Sequence, residues 1–118
     1  MTTLHGIKNC DTVRKARRWL DQHAIDYTFR DFRATAPALT EIQSWLEQCD
    51  WQTLLNKRST TWKGLSETQR ATVTDAASAA ELLAANPTLI KRPVLLTDTA
   101  LLVGFKPEHY HSLFAGHA

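Results

Sequence analysis

Up to Arg30 the chain changes its hydrophobic period twice, and few folds accommodate that order. Thr3-Leu4-His5-Gly6-Ile7 reads as a short apolar strand, and Val13, Ala16, Leu20 and Ala24 then recur at helical spacing from about Asp11 to near His23. Arg14, Lys15, Arg17, Arg18, Asp21 and Gln22 occupy the other sides of that helix, so a single face docks on a sheet. Ile25, Tyr27 and Phe29 next alternate with Asp26, Thr28 and Arg30, the period of a half-buried strand. The opening is a βαβ unit.

The middle of the chain loses the strand signal. Leu39, Ile42, Trp45, Leu46 and Cys49 share a helical stripe behind a Thr40-x-x-Gln43 capping box, which predicts Cys49 in a core. Trp51 to Leu55 suggests a further helical turn. Ser66-x-x-Gln69 and Ser78-x-x-Glu81 open two more helices, the second stopped by Asn86-Pro87. Strands return as Val94-Leu95-Leu96 and Leu101-Leu102-Val103, a hairpin turning at Asp98-Thr99, and a terminal helix from about Pro107 to Phe114 follows. The reading is one α/β domain over residues 1–118, with a mixed four-stranded sheet built from βαβ and ββα, a helical insert at about 37–88, and a frayed end at Gly116-His117-Ala118.

A chain of 118 residues buries enough surface to need no disulfide staples. Its two cysteines are not closely spaced, and neither a signal peptide nor an apolar run of membrane-spanning length is visible, so a soluble cytoplasmic protein is expected. A net charge of +2 gives no reason to expect nucleic acid or a membrane surface, and the chain is expected to be a monomer.

Cys10 carries the chemistry. It lies where the first strand passes through Lys8-Asn9 into the basic helix, so the free N–H groups and positive dipole end of a helix start face the thiol and favour its anionic form. A cysteine is more often a small buried hydrophobe, but Lys8, Asn9, Asp11 and Thr12 surround this one with polar neighbours. Arg14 follows within a turn and adds positive charge. Lys8 either assists the thiolate or is merely solvated, and Thr12 either hydrogen-bonds the sulfur or caps the helix. Histidines 5, 23, 109, 111 and 117 form no metal-ligand set, and the glycines lack phosphate-loop spacing, so no metal, bound cofactor or nucleotide is expected.

Several stretches resemble the thioredoxin-fold arsenate reductase family, which includes the ArsC enzymes, the Spx transcription regulators and an ArsC-like group called YffB. They are Gly6-Ile7-Lys8-Asn9-Cys10-Asp11-Thr12, Lys15-Ala16-Arg17-Arg18-Trp19-Leu20, Leu54-Leu55-Asn56, Asp75-Ala76-Ala77-Ser78-Ala79-Ala80 and Ile90-Lys91-Arg92-Pro93. The YffB group is the most similar. The resemblance implies a thioredoxin-like fold, Cys10 as nucleophile, Arg92 as an oxyanion- or glutathione-binding arginine and Pro93 as a cis-proline, its bond bringing the backbone close to the cysteine and presenting edge groups to a bound peptide or glutathione. Lys106, before Pro107, falls where the classical enzymes have another arginine. Departures accompany the match: Gly6 replaces a histidine, Val13 a serine and Asn56 an arginine, with Arg58 two residues further on.

Cys10-Asp11-Thr12-Val13 holds no second thiol, which leaves an external resolver, with glutathione as the natural co-substrate. The expected function is a glutathione-dependent thiol oxidoreductase with Cys10 catalytic, and Arg92, Pro93, Arg58, Lys106, Lys8 and Thr12 around the substrate. The alternatives are a true arsenate reductase and a non-enzymatic, Spx-like regulator that binds a protein partner. The C-x-x-C pair associated with Spx is missing here.

Overall fold

The computed structural model describes residues 1–115; the expected fraying of Gly116-His117-Ala118 lies outside the described residues. The chain forms two compact units, one comprising Met1–Ala34 with the residues from Arg92 onward, the other Thr35–Lys91.

The first unit is a thioredoxin-like sheet with two helices. Strands β1 (Thr3–Gly6), β2 (Thr28–Asp31), β3 (Val94–Leu96) and β4 (Leu101–Val103) lie in the order β2-β1-β3-β4. β1 and β2 are parallel, as the βαβ reading requires, while β3 is antiparallel to both β1 and β4. The hairpin turns through 97–100, where Thr97 Oγ1 accepts from the Ala100 N–H at 3.0 Å. Helix α1 (Asp11–Gln22) buries Val13, Ala16 and Leu20. Leu4, Ala16, Leu20, Leu95 and Tyr110 form a core lined by Trp19, Ile25, Tyr27, Phe29, Leu102 and Phe105.

Ala24 does not continue the α1 face. It has a φ of 54°, and around it the Ile25 N–H reaches Leu20 O at 3.0 Å while the Ala24 N–H reaches Asp21 O at 3.2 Å. This is a Schellman stop with alanine in the left-handed position that usually takes glycine. The stop delays β2 to Thr28, so Ile25 and Tyr27 pack on the core from the connection rather than from a strand.

The second unit is helical: α2 (Leu39–Leu46), α3 (Trp51–Leu54), α4 (Thr60–Gly64), α5 (Glu67–Ala71), α6 (Ala76–Ala85) and a 3-10 turn (Pro87–Leu89). α2 packs on α6, with Ile42, Trp45, Leu54, Ala79, Ala80 and Leu83 buried. A bridge between Leu55 and Ile90 ties its ends. Three expectations need correction. α2 is capped at Ala38, whose N–H donates to Glu41 Oε1 at 3.1 Å, so Thr40 lies inside the helix. α6 starts from Asp75, which accepts from the Ser78 N–H at 2.8 Å, so Ser78 is the third residue of that helix and not its cap. α2 ends at Leu46, which leaves Cys49 in the following turn, half-buried instead of in the core. The Ser66 cap and α5 stand as read. Helix α7 (Pro107–Phe114) returns to the first unit, and no helix among the described residues is long and apolar enough to cross a membrane.

Candidate active site

Strand register gathers the site at one end of the sheet. His5 pairs with Val94, and Val94 in turn pairs with Val103, so the end of β1, the start of β3 and the end of β4 lie at one level. Gly6 pairs with Asp31, which brings the end of β2 to the same level. The segments leaving the strands there carry Lys8 and Cys10 after β1, Arg92-Pro93 before β3, and Lys106 after β4. The sheet thus brings together five of the seven expected site residues, and Thr12 joins them in the first turn of α1.

Cys10 is the N-cap residue of α1, with φ −124° and ψ 123°. Its carbonyl accepts the first helical hydrogen bond, from the Arg14 N–H at 2.9 Å. Its half-buried side chain makes no capping hydrogen bond, so the sulfur is not used up in terminating the helix. Cap position is therefore held by Cys10 and not by Thr12, which is the second helical residue. Arg14 is committed elsewhere than expected: its guanidinium pairs with the Asp11 carboxylate at 2.8 Å, one turn back on the exposed side. Arg17 also turns from the thiol, with its guanidinium 4.3 Å from the centre of the Phe29 ring and its Nε donating to Tyr27 Oη at 3.2 Å.

The Arg92–Pro93 peptide bond is cis. Pro93 is buried and Arg92 half-buried, with its Nε out of contact with solvent. The Pro93 carbonyl accepts from the Gly104 N–H at 2.8 Å. β3 is flanked on both sides, and that carbonyl closes its ladder to the β4 exit. Gly104 adopts a φ of 81°, a conformation suited to glycine, and turns the chain toward exposed Lys106, the N-cap residue of α7. Lys8 is exposed. Arg58 belongs to the helical unit, exposed on a turn where its N–H donates to Asn56 Oδ1 at 3.1 Å.

Two contributors escaped the sequence reading. The Asp31 carboxylate accepts from the backbone N–H groups of Arg33 at 2.8 Å and Lys8 at 3.2 Å, and these bonds, the Arg33 one above all, hold its pKa below the usual carboxylate value. Gly6 admits Val13: a Cβ at position 6 would meet Val13 Cγ2 at 2.7 Å. Asp31-x-Arg33 is a local turn pattern that sequence could have offered for the Arg33 bond. The bond to Lys8 spans 23 positions and left no such signal. At Cys49, burial, reinforced by the adjacent Asp50 charge, pushes the thiol up.

Comparison with known proteins agrees with this architecture. The solution structure of an arsenate reductase (ArsC) related protein from Brucella melitensis is 48% identical, covers 96% of this chain and 93% of its own, and superposes with a TM-score of 0.70. A solved protein named YFFB is 45% identical, with 95% and 97% coverage and a TM-score of 0.91. The global transcriptional regulator Spx of Listeria innocua is 30% identical over 92% of this chain and 82% of its own length. The model of the ArsC family matches residues 5–113. With its four-stranded sheet and the cysteine at the β1–α1 junction, the chain belongs to the ArsC family.

Proposed function

We propose that the protein is a glutathione-linked thiol oxidoreductase with Cys10 as its single nucleophile. One observation carries this reading: a partly exposed cysteine caps a 12-residue helix without spending its sulfur on the cap, at the sheet end where Arg92-Pro93 and Lys106 emerge. Such a helix start offers unpaired backbone N–H groups and the positive end of the helix dipole.

The Cys10 thiolate attacks the glutathione sulfur of a disulfide that contains glutathione. The old S–S bond breaks, its electron pair leaves on the departing thiolate, and Cys10 is left in a mixed disulfide with glutathione. A second glutathione thiolate then attacks the glutathione sulfur, releases oxidised glutathione and restores Cys10. Arg92 and Lys106 supply cations for glutathione's carboxylates, with Arg92 better suited to a bidentate grip. Lys8 adds positive charge beside the thiol, and Thr12 lines the first helical turn. A free thiol as the working group suits a reducing compartment such as the cytoplasm.

The likeness to arsenate reductase related proteins supports arsenate as an alternative electrophile: Cys10 attacks arsenic as one arsenate oxygen leaves as water, and reduced glutathione then releases arsenite and leaves Cys10 in the mixed disulfide. The 30% identity to Spx favours a second reading, a regulator that binds a protein partner. Intact mass after exposure to oxidised glutathione, and separately to arsenate with reduced glutathione, tests these against each other. A glutathione adduct in the native protein and none in Cys10→Ser supports the oxidoreductase. Absence of any adduct, with no arsenite formed, supports the regulator.

A further inference from the structure

The β1–α1 junction has no regular secondary structure between Gly6 and Asp11, yet it must hold Cys10 at the helix start. Residues 31–33, leaving the neighbouring strand β2, bind it at two points. The Phe32 N–H donates to Gly6 O at 2.8 Å, extending the parallel ladder one step past the strands. The Asp31 carboxylate then divides its oxygens: Oδ2 accepts from the Lys8 N–H at 3.2 Å, and Oδ1 accepts from the Arg33 N–H at 2.8 Å. The second bond fixes the carboxylate on its own turn, and the first fixes the junction two residues before Cys10. Phe32 is buried and stacks on the buried His5 ring at 6.2 Å, so the turn that presents Asp31 is anchored in the strand layer.

We infer that Asp31 is a positioning residue for Cys10: its carboxylate clamps the Lys8 backbone and so holds the thiol over the first turn of α1. The inference rests on the reading of Cys10 as the nucleophile. It requires the carboxylate as a hydrogen-bond acceptor and not as a charge, since a negative charge near a thiolate opposes its formation. The two roles predict opposite effects.

The test compares the native protein with Asp31→Asn and Asp31→Ala by the rate of Cys10 alkylation with iodoacetamide across pH, together with hydrogen exchange at the Lys8 amide. Asparagine keeps one side-chain carbonyl acceptor and alanine keeps none. The clamp predicts that Asp31→Ala exchanges the Lys8 amide about fivefold faster and alkylates Cys10 more slowly at neutral pH, the change expected from one net hydrogen bond. Asp31→Asn keeps alkylation near the native rate. If both variants alkylate faster than the native protein, Asp31 acts only through its charge and the clamp is wrong. Equal native-like rates in both also overturn it. A native protein whose Cys10 is no faster than an unstructured cysteine peptide overturns instead the nucleophile reading, and the Lys8 amide in Asp31→Ala then still decides the clamp. Circular dichroism melting of each variant separates these results from general unfolding.

Discussion

Gly6 and Val13 share one space. The missing side chain at position 6 leaves room for the Val13 methyls, the nearer of which would lie 2.7 Å from an added Cβ. Val13 is fully buried, and as a β-branched residue on a helix it has little rotamer freedom with which to retreat. These positions hold two of the departures from classical arsenate reductases, and here they meet. The valine three residues after Cys10 packs the helix start onto β1 and leaves no polar group or second thiol at that position.

Gly6→Ala is therefore expected to destabilise the protein by about 1–3 kcal/mol through overpacking. Gly6→Ala combined with Val13→Ala should cost less than the two single changes added together, because the second removes the methyls that clash with the first. Urea unfolding of the four proteins in the cycle checks this; simple additivity contradicts the shared space.

At the other end of α1, Ala24→Gly should stabilise the protein by up to about 1 kcal/mol. The φ of 54° penalises a Cβ, and relief of that penalty exceeds the entropy that glycine adds to the unfolded chain. A lowered midpoint in thermal unfolding contradicts this account of the helix stop.

The raised pKa of Cys49 makes its reactivity a matter of alkaline pH. Its thiol stays protonated as pH passes the ordinary thiol range, so the reactive fraction at neutral pH is below that of a free cysteine and grows only on further increase. Alkylation of Cys10→Ser, which leaves Cys49 alone, should be slower at pH 7 than that of an unstructured cysteine peptide. Asp50→Asn in that background should speed it modestly, since burial is the larger cause and the carboxylate the smaller. No dependence on residue 50 contradicts the second part.

Arg92→Ala should weaken glutathione engagement more than it affects folding. Loss of one charge-assisted hydrogen bond corresponds to about 1.5–3 kcal/mol, while Lys106→Ala, an exposed cation with no fork to offer, should cost less. The concentration of oxidised glutathione needed for half-maximal adduct rate measures both. Identical values in all three proteins leave Arg92 without a role in binding.

Much of this architecture is legible in local pattern. β1, α1, the β3–β4 hairpin and α7 follow from period and turn residues, since each is determined by neighbours within a few positions. The errors lie where a competing local signal exists. Thr40-x-x-Gln43 is a well-formed capping box, but the helix starts at Ala38 because Glu41 serves that backbone instead. Ser78 looks like a cap and is bound by the real one, Asp75. α4 went unread because its Ser59 cap precedes only five helical residues, too few to display a period. The site divides in the same way. Cys10 is visible from its place between strand and helix and Arg92-Pro93 from the family resemblance, whereas the Asp31 clamp and the Gly6–Val13 contact depend on elements that meet only after folding.

The central claim is that Cys10 forms and exchanges a disulfide with an external thiol. Brief treatment with oxidised glutathione, followed by acid quench and peptide mapping, tests it most directly. The expected product is a glutathione mixed disulfide on Cys10 with Cys49 unmodified, reversed by reduced glutathione. A Cys10–Cys49 disulfide as the main product, or glutathione on Cys49 with Cys10 untouched, would contradict it.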